Sequence, residues 1–417
     1  MKKINLQNLD LYYNYDSRFK TVAVCIYFYF PFDEKYIPSL SMLCQMLQKT
    51  SKKYPTEEEY AYYLKSIYDA SFSISHSRCG KMQSLRVSIS FVNPKYIIED
   101  IDIVKESIAC MFDTLLNPNL CEENLELEKD ILKQFHLNTY NNKTKYAAMR
   151  FTNSMYANEI QSISSYGTYD QVDLVTLDDI FDAYKMILNA PCYLFATGDI
   201  ECDKIYQELN TYDLTRFNKY EYNQALEFID AYKKDINCVD NIVDEQDINQ
   251  TIMFIGYRSD VRRNTSKRFD IMFLCAMLGE YFHSILFQVI REKHNLAYSI
   301  GTQLNMDKGA IHVFARISKD NIDLVKKLVI EEIEKVQDGN IEDKVVELTR
   351  NAKINEILKN GDSPFNPLYD LQDQLMGFGE ISDEMIIEKF KTITKEDIQE
   401  VANMLVLDTI YVLKGKA

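Results

Sequence analysis

The sequence is poor in several features that would point to metal, redox or membrane function. It has five histidines, and no two of them lie three to five residues apart, which is the usual spacing of paired zinc ligands on a helix. Its nine cysteines are irregularly spaced and include no Cys-x-x-Cys pair, which favours reduced thiols over a disulfide framework. No apolar run approaches the roughly 20 residues that a membrane helix needs. We therefore expect a soluble, cytoplasmic protein that does not cross a membrane.

Positive charge is also in short supply. The 47 lysines and arginines are outnumbered by 63 aspartates and glutamates, which leaves a net charge of −16 and no basic tract. Nucleic acid is therefore not an expected partner, because binding it requires clustered cations that neutralise phosphates. With 46% hydrophobic residues the chain should fold. Its 417 residues exceed the roughly 250 to 300 at which a single core stops growing, so two or more domains are expected.

One helical pattern occurs twice in the chain. The first copy has apolar residues at Ile101, Val104, Ile108 and Leu115, and the second has them at Ile322, Val325, Val329 and Val336. The intervals are the same, and the whole pattern is shifted by 221 positions, from 101 to 322. A period this long indicates two copies of one domain rather than a solenoid repeat.

The regions that flank this pattern repeat as well. An alternating strand precedes each copy, around Ile89 in the first and Val313 in the second. A capped helix start follows each, at Thr176 and at Thr394, and each copy closes with a strand that ends in glycine. We predict an α+β fold with two homologous domains, each a mainly antiparallel sheet with helices packed on one face.

The predicted domain boundaries follow from the same comparison. The first α/β domain covers residues 1–205 and the second covers 246–417. Residues 206–245 are rich in Asp, Asn, Tyr and Lys and show little apolar periodicity, so we predict an acidic linker there.

The segment most suggestive of chemistry lies in the second copy. A helix with an apolar face is predicted to end near Arg291, and a strand is predicted to start just before Tyr298. A guanidinium and a phenol on either side of one helix-to-strand turn can converge on a peptide carbonyl that gains negative charge during hydrolysis. The spacing alone favours a structural role, in which Arg291 caps its helix and pairs with a nearby acid while Tyr298 packs on the sheet.

The residues around this turn resemble those of a known family. The pattern Leu-x-x-x-Ile-Arg-Glu-Lys-x-x-Leu-Ala-Tyr-Ser, residues 286–299, is similar to the Arg/Tyr segment of the insulinase-like (pitrilysin) metallopeptidases. The duplication, the length and the Gly-Asp-Ile that starts at Gly198 resemble the same family. The resemblance implies that Arg291 and Tyr298 contact substrate near the scissile bond.

The zinc motif of that family is degenerate in this chain. Active members carry His-x-x-Glu-His on the first long helix, and the aligned positions here are Ser41, Cys44 and Gln45. A serine, a thiol and an amide cannot replace two imidazoles and a general base. The segment ENLELEKDIL aligns Glu126 with the family's third ligand. We predict that these four positions bind no metal and that this chain has no cofactor of its own.

This chain has the Arg/Tyr pair but lacks the zinc motif, which suggests that two subunits divide the work. The family includes two-subunit peptidases in which one chain holds zinc and the other holds the Arg/Tyr pair. The resemblance implies that this chain is the second kind of subunit. It would be inactive without a homologous zinc-bearing partner, would form a heterodimer with it, and would act on short unfolded peptides. The alternative is a non-catalytic scaffold or peptide-binding homologue.

Overall fold

The computed structural model describes residues 1–221, 236, 238–360, 364–376 and 382–416. The chain forms two compact units. The first contains Met1–Leu137, Ser164–Ile229 and Asp362–Met376, and the second contains Asn138–Ile163, Asp230–Gly361 and Gly377–Ala417. The strands are β1 (Lys2–Leu6), β2 (Leu9–Tyr15), β3 (Thr21–Pro31), β4 (Ser71–Cys79), β5 (Met82–Val92), β6 (Pro191–Gly198), β7 (Asn218–Lys219), β8 (Asp240–Gln246), β9 (Thr251–Arg258), β10 (Ala297–Asn305), β11 (Ala310–Ile317) and β12 (Val406–Gly415).

Helices connect these strands. They are α1 (Ile37–Lys49), α2 (Glu57–Ser66), α3 (Ile103–Leu116), α4 (Glu122–Asn141), α5 (Lys143–Met155), α6 (Tyr169–Val172), α7 (Leu177–Leu188), α8 (Cys202–Leu209), α9 (Arg268–Gly279), α10 (Ile322–Gln337), α11 (Asp343–Asn360), α12 (Asn366–Leu375), α13 (Asp383–Thr392) and α14 (Lys395–Asn403). A π-helical segment, Phe287–Lys293, precedes β10. None of the described helices combines the length and hydrophobicity needed to cross a bilayer.

Each unit is built on one sheet. The strands of the first run in the order β1-β2-β6-β3-β5-β4, with β7 beside β6, and those of the second run β10-β11-β9-β12-β8. Most neighbouring strands are antiparallel, and the parallel pairs are β2/β6, β6/β7 and β12/β8. The predicted α+β fold with two mainly antiparallel sheets is confirmed.

In the first unit, β3 shows how the sequence builds the core. Nine consecutive residues of this central strand are buried, because both faces of the sheet are covered there. Ile26 and Phe28 belong to the same apolar core as α1, α3 and α7. Tyr29 lies on the opposite face, where its hydroxyl lies 3.2 Å from that of Tyr193 and accepts a hydrogen bond from Gln372 of α12. A helix from the C-terminal half of the sequence therefore covers the second face of this sheet.

The second unit has the reciprocal arrangement. Met253 and Ile255 of β9 pack with the helices of this half, while Phe254 faces α5 and stacks on Phe151 at 5.1 Å. Glycine at 256 permits this close approach, because a Cβ atom there would lie 2.9 Å from Phe151 Cζ. A helix from the N-terminal half of the sequence thus covers the second face of this sheet.

The capped helix starts that were predicted in both copies are present in the structure. Thr176 with Asp179, and Thr394 with Asp397, both form capping boxes at the starts of α7 and α14. The segment predicted as a linker contains regular structure, because α8 extends to residue 209, β7 occupies residues 218–219 and β8 begins at residue 240. β8 is an edge strand held by parallel backbone pairing to β12, and its residues alternate between half-buried and exposed. The middle of the predicted linker, 222–235 and 237, lies outside the described residues.

Candidate functional site

The degenerate zinc motif lies on α1, in the first unit. This helix is almost fully buried because apolar residues surround the motif positions on every side. Ser41 and Cys44 are buried, whereas Gln45 is exposed. The helical spacing places the three positions on one face, as predicted. That face lines a cavity of about 320 Å³ between α1, α4, β4 and Tyr166.

Ser41 is held by two hydrogen bonds. Its hydroxyl donates to the carbonyl of Ser165 at 3.1 Å and lies 3.0 Å from Nε2 of His76. A serine hydroxyl has one hydrogen, so when Ser41 donates it to Ser165, His76 with its proton on Nε2 donates to the Ser41 oxygen. In this arrangement His76 does not accept the hydroxyl proton of Ser41, as a base that activates a nucleophile must.

The residues at the motif do not fit a zinc ion. Burial raises the pKa of the Cys44 thiol to about 12, which keeps it protonated at neutral pH. Neither the hydroxyl of Ser41 nor the amide of Gln45 is a usual zinc donor. Within the described part of the chain, no cluster of three or more His, Cys, Asp or Glu side chains could hold a metal.

The structure separates the two glutamates of α4. Glu126, aligned above with the third ligand, is 65% exposed and pairs with Lys129 at 2.7 Å. Glu128 is the carboxylate that lines the cavity, buried and paired with Lys49 of α1 at 2.7 Å. Glu128, two residues after the aligned Glu126, is thus the glutamate of α4 that lines the cavity in this structure. Leu125 and Leu132 are buried at helical spacing from Glu128, and this periodicity is the sequence signal that could have identified it.

His76 is the cavity residue that the sequence analysis missed. It lies on β4, two residues beyond Ile74 and four beyond Phe72, and both of these side chains are buried. Side chains two apart on a strand share one face, so His76 points to the helix side of the sheet, where it meets Ser41. Strand alternation could have placed His76 on this face, but the approach of α1 could not be predicted from local sequence.

Lowering the pH from about 7.5 to about 5 is expected to destabilise the fold through this histidine. Burial and the Arg78 charge lower the pKa of His76 from 6.5 to about 4. The unfolded imidazole takes up a proton below its pKa of about 6.5, whereas folded His76 does not. The stabilisation that neutral His76 gives the folded state is therefore complete above about pH 6.5. It is lost as the pH falls toward 4, and the loss in the free energy of unfolding reaches up to about 3 kcal/mol. His312 of the second unit acts in the same direction.

Urea unfolding at the two pH values measures this effect. The free energy of unfolding should be lower at about pH 5, and the difference should be smaller in His76→Asn. Equal free energies at both pH values would contradict the predicted loss.

Arg291 and Tyr298 lie in the second unit, on two unusual backbone features. Arg291 is in the π-helical segment, with its guanidinium carbon 4.8 Å from the Phe287 ring centroid and its side chain 42% exposed. Its nearest carboxylate is Glu292, with Nε and Oε1 3.9 Å apart, which is too long for a hydrogen bond. The segment ends at Lys293, and Asn295 in the turn that follows has a left-handed conformation with φ of 51°, which asparagine tolerates well.

Tyr298 lies in a β-bulge. β10 and β11 are in register at Ala297 and Ile317, and the next pair is Ser299 with Arg316, so Tyr298 is opposite no residue of β11. Such a bulge redirects a side chain and is common beside active sites. Tyr298 is 62% exposed on an edge strand. This exposure disfavours the structural alternative, in which Tyr298 packs on the sheet.

Comparisons with known proteins agree with the fold. The family described as "Peptidase M16 inactive domain" matches residues 174–353. A Bacillus subtilis protein named probable inactive metalloprotease YmfF is 23% identical over 408 residues, which cover 96% of this chain and 94% of that protein.

Solved structures show the same architecture. A conserved protein from Enterococcus faecalis superimposes with a TM-score of 0.89 at 23% identity, covering 100% of this chain and 98% of that one. A peptidase M16 inactive domain from Pseudomonas fluorescens gives a TM-score of 0.80 at 12% identity, with the same coverage. Residues 174–353 thus match the peptidase M16 inactive-domain family, and the chain shares the fold of these solved structures.

Proposed function

We propose that this chain is the non-zinc subunit of a heterodimeric metallopeptidase. In this proposal a homologous partner holds the zinc and the general base, and this chain supplies Arg291 and Tyr298. The observation that carries the proposal is that both donors project from irregular backbone, a π-helical turn and a β-bulge, with substantial exposure. Irregular backbone of these two kinds is frequent at functional sites.

The chemical role of each donor follows from its structure. Arg291 presents a planar, permanently charged fork that can bind a backbone carbonyl of an extended peptide. Tyr298 presents a neutral hydroxyl that can donate to the scissile carbonyl oxygen as negative charge develops there. The metal-dependent chemistry belongs to the partner, because Ser41, Cys44 and Gln45 do not fit a zinc ion. Short unfolded peptides are the expected substrates, since an extended chain can pair with the edge of a sheet.

The proposal is tested by mixing the purified chain with a homologue that has an intact His-x-x-Glu-His motif. We expect a 1:1 complex that cleaves unfolded peptides, and no cleavage by the chain alone. Mass measurement in solution reports the complex, and peptide mapping reports the cleavage. A stable complex whose activity is the same as that of the zinc-bearing homologue alone would argue against a catalytic contribution from this chain.

A non-catalytic scaffold is the second candidate function. The observation that favours it is that the polar groups at the degenerate motif bond within the chain, Ser41 with His76 and Lys49 with Glu128. These bonds tie α1 to β4 and to α4, a structural role that needs no substrate. Retention of full activity in complexes with altered Arg291 and Tyr298 would favour this candidate.

A further inference from the structure

The π-helical segment that bears Arg291 lies beside a cavity of the second unit. Val289 and Lys293 of this segment line the cavity, which has a volume of about 590 Å³. The end of α10, the turn after it and the start of α11 supply most of the remaining lining. Phe287 and Ile290 of the segment are buried in the core of this unit. Core packing therefore holds one side of the segment, while the other side faces the cavity.

The two ends of this segment are held differently. Before it, Glu280 pairs with Lys353 of α11 at 2.7 Å. After it, the turn at His294 and Asn295 is exposed. The backbone N–H of His294 donates to the carbonyl of Val289 at 3.2 Å, and Val289 lines the cavity. A ligand that packs on Val289 would therefore stabilise the exposed end of the segment.

The apolar part of the cavity is aliphatic. It consists of Ile285, Val289, Val336, Val345 and Leu348. Val336 is 1% exposed and Leu348 is 38% exposed, so the apolar surface extends from the interior to the mouth of the cavity. A volume of about 590 Å³ is in the range of sites that take small molecules. A hydrocarbon chain would bury its CH₂ groups on this lining.

The charged groups of the lining favour an anion. They are three lysines and two glutamates, namely Lys293, Lys335, Lys344, Glu332 and Glu342. Burial lowers the pKa of His283, which therefore adds no charge at neutral pH. Glu332 is paired with Lys335 at 2.6 Å, whereas Lys293 and Lys344 form no ion pair with any described residue. The cavity is thus positive on a chain of net charge −16, and it would attract a carboxylate.

The lining suits a fatty acid better than a peptide. A fatty acid carries its polar atoms at one end, so the rest of the molecule needs no hydrogen bonds. Each residue of a peptide would bring one N–H and one C=O that need partners. The amide of Gln288, one of the polar groups of the lining, already donates to the carbonyl of Phe282 at 2.6 Å.

We propose that this cavity is a regulatory site that binds an aliphatic carboxylate of about eight to ten carbons. The bound chain packs on Val289 and holds the π-helical segment, which fixes the position of Arg291. Binding is independent of the function proposed above, whereas an effect on catalysis rests on that function. Binding and the opening of the segment are therefore both measured on the chain alone, without a partner or a substrate.

Methyl NMR on the full chain, labelled at isoleucine, leucine and valine, measures the binding of octanoate and decanoate. The signals of Ile285 and Val289 should shift, while that of Ile98, which is 94% exposed in the first unit, should not. Decanoate should bind at least about tenfold more tightly than octanoate, because two more CH₂ groups are buried. Octanol lacks the charge and should bind about fivefold more weakly than octanoate.

Three outcomes of this titration would overturn the proposal. The first is that decanoate does not bind or shifts only other methyl signals. The second is that octanoate and octanol bind equally well, which would exclude recognition of the carboxylate. The third is that the dipeptide N-acetyl-leucyl-leucine binds more tightly than decanoate, which would make the cavity a peptide site.

Amide hydrogen exchange measures whether the ligand holds the segment. The N–H groups of His294 and Leu296 are bonded to carbonyls of the segment, at 3.2 Å and 2.9 Å. With decanoate at ten times its dissociation constant, their exchange should slow by about tenfold, because opening of the segment releases the ligand. Exchange of Phe112 in α3 of the first unit should not change. Bound decanoate without slower exchange at His294 and Leu296 would overturn the regulatory role.

Two substitutions on α11 provide a matched pair. Leu348→Asp places a negative charge in the lining, and Leu358→Asp places the same charge at a residue that is 66% exposed and outside the lining. Leu348→Asp should weaken decanoate binding by at least about tenfold, and Leu358→Asp should change it by less than about twofold. Methyl signals away from α11 report whether each variant stays folded. Equal losses in two folded variants would contradict a site at this position.

A double substitution tests the recognition of charge. Lys293→Gln combined with Lys344→Gln removes both lysines that lack an ion pair among the described residues. In this variant the affinity for octanoate should fall to that for octanol, while the affinity for octanol should stay within about twofold of its original value. An unchanged preference for octanoate would overturn the assignment of these lysines to the carboxylate.

Discussion

Replacing Tyr298 with phenylalanine, in a complex with a zinc-bearing homologue, is expected to lower kcat by about 10² to 10³. The substitution removes one hydroxyl donor and keeps the ring. Its effect should appear in kcat more than in KM, because the hydrogen bond strengthens as the carbonyl oxygen becomes negative. Steady-state hydrolysis of a fluorogenic peptide measures both constants.

A control variant separates this chemistry from general damage. Tyr62 is 75% exposed on α2 of the first unit, and Tyr62→Phe should leave kcat within about twofold of the unaltered complex. Assembly measured by gel filtration should be unchanged in both variants. Arg291→Lys keeps the charge and loses the planar fork, so it should lower activity as well. A normal kcat in Tyr298→Phe would contradict a catalytic role for Tyr298 and favour the scaffold function.

Replacing Arg258 with methionine is expected to lower the free energy of unfolding by about 3 to 5 kcal/mol. Arg258 of β9 bonds to Glu159 at 2.7 Å and also to Asp408 of β12. Lys308 pairs with the other oxygen of Glu159 at 2.6 Å. These two cations and two carboxylates are almost fully buried, and their charges balance. Removing the guanidinium leaves buried negative charge uncompensated.

A more exposed ion pair in the same unit provides the control. Arg150 of α5 lies 2.8 Å from Asp244 of β8, with 40% of the arginine side chain exposed. Arg150→Met should cost no more than about 1 kcal/mol, because solvent screens the pair. Urea unfolding of both variants, with the same probe of secondary structure, gives the comparison. Similar losses in the two variants would show that burial of the Arg258 network does not determine its contribution.

The site residues show where local sequence was sufficient and where it was not. The degenerate zinc motif could be recognised from the sequence alone. Ser41, Cys44 and Gln45 are not a usual set of zinc ligands in any fold. Local sequence does not decide which glutamate of α4 lines the cavity, because Glu126 and Glu128 are two residues apart on one helix, which turns their side chains about 200° from each other. Only the packing of α4 decides which of them faces the cavity.

The sequence by itself determined the duplication, the α+β class and the capping boxes at Thr176 and Thr394, because each is a pattern of neighbouring residues. Tertiary structure alone decided that α5 covers the second sheet and α12 the first, that His76 meets Ser41, and that Arg258 completes a buried charge network. These contacts join residues far apart in the chain, and local periodicity carries no information about which distant surfaces meet. Their energies depend on burial and geometry, which exist only after the chain has folded.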